Sequence, residues 1–296
     1  MEKSIVSHMT KAADECARSA LQPVHTTATS AARIPMELHQ IKMGAGKPLL
    51  LLHGLGGSWR SWTPILPGLA AQREVIAVDL PGHGATPQPS GELSFEALAD
   101  AVAAFLESRG LQGIDVVGSS MGARLVLELA RRGGLVGSVV SLDPGGFWKG
   151  WERTYFATTI GVSIRLVRAL QPVMPLMTGN PLTRALLLAQ FSAHPWRLPS
   201  GIVLQEMRDY AAAPSFDALL RSLARDPAQQ GVPAGTLRQR ILIVWGRQDR
   251  VCLPRQAARA MGCFPDARLQ WLNDCGHFPH WDQPEETVRL VLEATH

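Results

Sequence analysis

With 296 residues and 46% hydrophobic content, the chain is long enough to bury a full core as one domain carrying an insertion. Charged residues make up only 18%, which excludes long disordered tracts. The net charge of +4 is spread without a lysine–arginine block, so nothing marks a nucleic-acid binder, and no apolar run reaches the roughly 18 residues of a membrane-spanning helix.

Residues 1–35 are polar and rich in Ala, Ser and Thr, and read as a flexible extension. They lack the charged start and hydrophobic centre of a signal peptide, which makes the cytoplasm the default compartment. Strands are expected at 36–43, 49–54 and 74–79, and helices at 59–72 and 94–108, with Ser94 as an N-cap. The apolar run Leu49-Leu50-Leu51-Leu52 leads into His53-Gly54-Leu55-Gly56-Gly57. Those glycines let the backbone turn back, so that the N–H of Leu55 is free to point at a substrate carbonyl. His53 precedes the turn and reads as a brace for it.

The β-branched stretch at 114–118 is a buried strand by pattern and ends in Gly118-Ser119-Ser120-Met121-Gly122. A strong helix former follows at 121–132 and stops at Gly133-Gly134. Strand, tight turn, serine and helix is the setting in which G-x-S-x-G presents a nucleophile, here Ser120. The N–H of Met121 then supplies the second oxyanion donor.

A strand at 136–142 delivers Asp143, and one at 241–245 delivers Asp249. Asp249 is the expected partner of the catalytic base, with Asp143 as the alternative. The last strand, 268–272, leads into Asn273-Asp274-Cys275-Gly276-His277. His277 is the expected general base, and His280 reads as a loop histidine near the site entrance. Helices are expected at 254–261 and 284–293. Cys16, Cys252, Cys263 and Cys275 show no metal-binding spacing, and Cys275 reads as a small loop or core residue.

Five pieces in order carry a resemblance: the HGLGG loop, Asp79-Leu80-Pro81-Gly82-His83-Gly84, GSSMG, WGRQD and GHFPHWDQPEE. Together they resemble the α/β-hydrolase-fold superfamily, in a serine-nucleophile branch with a helical cap. The resemblance implies an eight-stranded, mostly parallel sheet with helices on both faces, and no cofactor or metal. Residues alone reach the same α/β class. The serine at position 120 argues against the family's aspartate-nucleophile members.

Between 145 and 237 the alternation of strands and helices stops, and prolines separate helix-like runs. In the resembled family a cap sits there, which divides the chain into a core at 36–144 and 238–296 and a cap at 145–237. Phe147, Trp148, Trp151, Phe156, Met174, Met177, Phe191, Trp196 and Phe216 are the aromatic and Met side chains available as an apolar wall. Trp148 and Phe191 are named substrate contacts, with Trp59 reaching in from the oxyanion loop and Arg124 orienting a substrate carboxylate.

The expected activity is hydrolysis of a carboxylic ester of a small apolar or aromatic substrate through an acyl-enzyme. The alternatives are hydrolysis of a carbon–carbon bond in a meta-cleavage product, a cofactor-free haloperoxidase or perhydrolase reaction, and a ligand-binding member of the fold without catalysis. Ser119 stands where the resembled carbon–carbon hydrolases often carry asparagine.

Overall fold

The computed structural model describes residues 36–91 and 93–295. The 1–35 extension therefore lies outside the described residues. Seven strands form one sheet: β1 (Gln40–Met43), β2 (Pro48–Leu52), β3 (Glu74–Val78), β4 (Ile114–Ser119), β5 (Val136–Leu142), β6 (Ile241–Gly246) and β7 (Arg268–Leu272). Their order is β1-β3-β2-β4-β5-β6-β7; β1 is antiparallel to β3 and all other pairs are parallel. The expected count of eight is corrected to seven among the described residues, because β1 is the one described strand before β2.

Side-chain alternation divides the interior into two layers. Leu50, Leu52, Ile76, Val78, Val116, Val139, Ile243 and Trp245 point to one face. There they meet α2 (Phe95–Ser108) through Leu98, Val102 and Phe105, and α3 (Met121–Arg132) through Leu125 and Leu129. Leu49, Leu51, Val75, Ala77, Val117, Val140 and Val244 point to the other. There they meet α1 (Leu66–Ala70) and, through Leu290 and Val291, a C-terminal helix at Pro284–Ala294. Burial on both faces is why these strands read as unbroken apolar runs.

Helix α2 begins where expected, with the Ser94 side chain accepting from the Ala97 N–H at 3.1 Å. The single helix expected at 59–72 is instead a 3₁₀ turn (Trp59–Trp62) followed by the short α1. Pro64 and Pro67 lack the N–H groups that would carry one helix across the break.

Between β5 and β6 lie five α-helices and no strand: α4 (Trp151–Ala169), α5 (Met174–Gly179), α6 (Pro181–Leu187), α7 (Ser200–Ala212) and α8 (Phe216–Arg225). After β6 come α9 (Ala257–Cys263), α10 (Pro279–Asp282) and α11 (Pro284–Ala294). Helix α7 docks on the core through polar contacts: Ser61 Oγ donates to Glu206 at 2.7 Å, and Ser58 Oγ donates to Asp209 at 2.6 Å. Among the described residues, no single helix is long and apolar enough to cross a membrane.

The chain leaves β2 toward β3 on one side and returns to β4 on the other, so the strand order reverses at β2 and β4. A crevice opens outside the carboxyl ends of strands at such a point. The loops after β2 and β4 carry Leu55 and Ser120 into it.

Candidate active site

Ser120 sits between β4 and α3 with φ 55 and ψ −110. This is a left-handed conformation that costs a non-glycine residue about 1–3 kcal/mol and persists only where its surroundings enforce it. Main-chain bonds hold it: Ser120 N–H donates to the Leu142 carbonyl at 2.9 Å, and its own carbonyl accepts from Arg124 and Gly145. Both motif glycines are required by close packing. A Cβ on Gly118 would stand 2.1 Å from the Gly122 carbonyl oxygen, and one on Gly122 would stand 2.1 Å from that of Leu52. The sharp turn thus packs against β2, and α3 starts directly at the serine with its positive end toward the crevice.

His277 Nε2 lies 2.8 Å from Ser120 Oγ, and His277 Nδ1 lies 2.9 Å from Asp249 Oδ2. In the tautomer that satisfies both contacts, the serine hydroxyl donates to Nε2 and Nδ1–H donates to Asp249. The other Asp249 oxygen accepts from the N–H groups of Val251 at 2.7 Å and Cys252 at 3.0 Å. His277 and Asp249 are both 2% exposed. The three residues come from loops after β4, β6 and β7 and form one continuous line of hydrogen bonds.

Asp143 does not touch the imidazole. One of its oxygens accepts from the Gly246 N–H at 2.8 Å. Burial, with the neighbouring Asp249 charge, pushes its carboxyl well above the usual range. His280 packs on Trp62, ring centroids 4.8 Å apart, and burial pulls its pKa down to about 3. Cys275 is fully buried and its thiol is pushed up, as suits a small core residue. Cys252 Sγ, Asp249 and His277 present ligand atoms within 4.8 Å of one another. A cation there would have to replace the Asp249–His277 hydrogen bond, and burial keeps the Cys252 thiol protonated, which opposes thiolate ligation.

The loop after β2 lies against the serine: a Cβ on Gly54 would stand 3.3 Å from Ser120 Cβ. Its turn is closed by Gly57 N–H on the Gly54 carbonyl at 3.2 Å. His53 braces it, with Nδ1 2.7 Å from the Gly54 carbonyl and Nε2 accepting from Leu80 N–H at 3.0 Å. Burial lowers the His53 pKa to about 4, so it stays neutral in this role. Leu55 and Met121 both line the cavity above Ser120. Met121 opens α3, where first-turn N–H groups have no intrahelical acceptor.

The cavity wall is largely apolar; its polar members are Ser120, His277, Arg124, Ser163 and Tyr210. Of the wall residues expected from sequence, Trp148, Phe156, Phe191 and Phe216 line it. Trp59 does not: it packs with the layer beneath the sheet, and its main-chain N–H donates to Asp79 at 2.8 Å. Trp151 and Trp196 are exposed instead. Arg124 is on the wall, but its guanidinium is turned to the Gln229 side chain at 3.3 Å and the Pro227 carbonyl at 2.8 Å, over the Phe95 ring.

Sequence reasoning named Phe156 and passed over the rest of the wall formed by α4. Phe156, Ile160, Ser163, Ile164 and Val167 all line the cavity, and their three- and four-residue spacing is a helical stripe legible in the sequence. It also passed over Asp282, inside the GHFPHWDQPEE piece. Asp282 Oδ2 accepts from Gly276 N–H at 2.7 Å and Ala193 N–H at 2.8 Å, which pins the histidine loop to the segment after α6.

A family model described as alpha/beta hydrolase fold matches residues 47–284, which takes in every strand from β2 to β7. The chain belongs to the alpha/beta hydrolase family. It is an enzyme of that family by its hydrolase-named relatives as well. A 2-hydroxy-6-oxo-2,4-heptadienoate hydrolase from Pseudomonas putida is 28% identical over 87% of this chain and 91% of its own length. Two solved hydrolases share the fold. An esterase from Thermogutta terrifontis superposes with TM-score 0.68 at 22% identity, covering 88% of this chain and 94% of its own. A meta-cleavage product hydrolase from Pseudomonas fluorescens gives 0.65 at 20% identity, covering 86% and 93%.

Proposed function

We propose that this hydrolase cleaves carboxylic esters of small apolar or aromatic substrates through an acyl-enzyme. The unbroken line from Asp249 through His277 to Ser120, at the floor of an apolar cavity, carries the reading. Ser120 Oγ attacks the ester carbonyl carbon while His277 Nε2 takes its proton. The carbonyl oxygen becomes an oxyanion held by the N–H groups of Leu55 and Met121; each such donor is typically worth about a hundred- to a thousandfold in rate. The intermediate collapses, and His277 returns the proton to the leaving alcohol. Water then attacks the acyl-enzyme, giving its proton to His277, and the acid departs as Ser120 recovers its hydrogen. Asp249 holds the imidazole in the required tautomer and balances its transient positive charge. Helices α4 to α8 serve as a cap that excludes water from this chemistry. The small-molecule substrate enters beneath it.

The relative from Pseudomonas putida supports a second reading, hydrolysis of a carbon–carbon bond in a dienoate. Such a substrate brings a carboxylate. The cavity's one cationic wall residue is Arg124: its Nε and Nη2 are engaged with Gln229 and Pro227, and its buried Nη1, which has no protein partner, is the group that would meet that carboxylate.

Hydrolysis of p-nitrophenyl esters from acetate to palmitate, beside a ring-fission 2-hydroxy-6-oxo-dienoate, tests both. Ester turnover that Ser120→Ala abolishes, with the dienoate untouched, supports the esterase. Turnover of the dienoate alone transfers the site to carbon–carbon cleavage. Folded protein inert toward both overturns the catalytic reading.

A further inference from the structure

Every exposed large hydrophobic side chain among the described residues, apart from Met43, lies between Trp151 and Trp196. On α5 and α6, Leu176, Leu182 and Leu186 are 77%, 77% and 79% exposed, and Val162 and Leu166 on α4 are 56% and 51% exposed. Single exposed leucines are ordinary on a protein surface; one segment that holds nearly all of them is where a contact surface is to be sought.

The charge pattern of the same segment is one-sided. From Arg153 through Gln205 there are five arginines and no aspartate or glutamate. Arg168 is paired with Asp217 at 2.7 Å, and Arg184 is buried against main-chain carbonyls. Arg165 is exposed next to Leu166 on α4, and Arg197 is exposed beside Trp196, whose carbonyl accepts from Arg184 of α6.

The face is continuous with the cavity. Leu166 is half exposed and also lines the cavity, and Leu187, next to Leu186, lines it from α6. Gln190, in the turn after α6, ties that segment to α4 by donating to Thr159 at 2.8 Å.

We propose that the outer face of α4, α5 and α6 docks on an anionic phospholipid bilayer. The leucines enter the interface and Arg165 and Arg197 meet lipid phosphates, so the cavity wall stands at the membrane surface. A second copy of this chain fits less well: a two-fold contact would set these arginines near their own copies, with no carboxylate from the 153–205 segment to neutralise them.

Co-sedimentation of the full chain with phosphatidylcholine vesicles, with or without about one-third phosphatidylglycerol, tests this. At least about tenfold tighter binding to the anionic vesicles is expected, weakening with salt. Leu182→Glu with Leu186→Glu removes binding while thermal stability and turnover of a water-soluble ester stay at wild-type values. Arg165→Glu with Arg197→Glu removes the preference for anionic lipid. No binding to either vesicle, or undiminished binding by the leucine pair variant, overturns the proposal. So does a dimer that the leucine variant dissociates, without vesicle binding. Ser120→Ala protein binds vesicles like wild type, so failure of the esterase reading leaves this result separate.

Discussion

Asp143 and Asp249 lie next to each other at the ends of β5 and β6, and His277 bonds to Asp249 alone. The two carboxyls share a buried site, where like charges disfavour double ionisation. Asp249 accepts from two N–H groups and the imidazole, whereas Asp143 accepts from one N–H and burial pushes its carboxyl well above the usual range. Asp249→Asn is expected to lower kcat by about 10⁴-fold, because the amide cannot hold the productive tautomer. Asp143→Asn keeps the side chain's shape away from the imidazole and should keep activity within about threefold, less than 1 kcal/mol of barrier. Steady-state kinetics on one ester checks both, and equal losses would reassign the acid.

Gly122 allows α3 to lie against β2. Gly122→Ala drives a Cβ onto the Leu52 carbonyl, so the serine turn must move. The expected cost is about 1–3 kcal/mol or more in stability and at least about a hundredfold in kcat. Gly201→Ala in α7 meets nothing within 4 Å, and should be neutral or stabilising by up to about 1 kcal/mol. Thermal unfolding and turnover of the two variants make the comparison.

Asp282 acts on His277 through the loop backbone. Asp282→Ala leaves the Gly276 and Ala193 N–H groups without their acceptor and frees the histidine loop. A fall of about ten- to a hundredfold in kcat with a small change in KM is expected, since a misplaced base slows chemistry more than binding. An unchanged kcat would remove Asp282 from the positioning apparatus.

Stability should peak near pH 6.5. His53, His83 and His280 are buried neutral, with pKa lowered from 6.5 to about 4, 3 and 3. As pH falls below 6.5 the unfolded chain binds protons there that the folded chain refuses, so stability drops. Glu206 has the opposite sign: burial raises it from 4.5 to about 8. Between those values the unfolded chain releases a proton that the folded chain keeps, so this residue's contribution declines as pH rises, until about pH 8. Above 6.5 only the Glu206 loss remains of these four. Glu206→Gln should flatten the fall between pH 6.5 and 8, read as Tm against pH, at about 2–4 °C per kcal/mol. A variant whose alkaline limb is unchanged would place the titration elsewhere.

Much of the candidate site's geometry was legible locally. Ser120 is announced by its own neighbours, because an elbow needs glycines on both sides of the serine and a strand and helix flanking it. Asp249 and His277 were recognisable as residues just past apolar strands, since a parallel sheet delivers its functional groups at that edge. Such features depend on a few adjacent residues and on side-chain alternation, so they are written along the chain. The choice between Asp143 and Asp249 was not, because it turns on which carboxyl meets the imidazole across three loops. Nor was the turning of the Arg124 guanidinium away toward Gln229, the displacement of Trp59 beneath the sheet, or the pinning of the histidine loop by Asp282. Each rests on contacts between segments far apart in the chain, whose distances are set by how helices and loops pack around the sheet rather than by any local spacing.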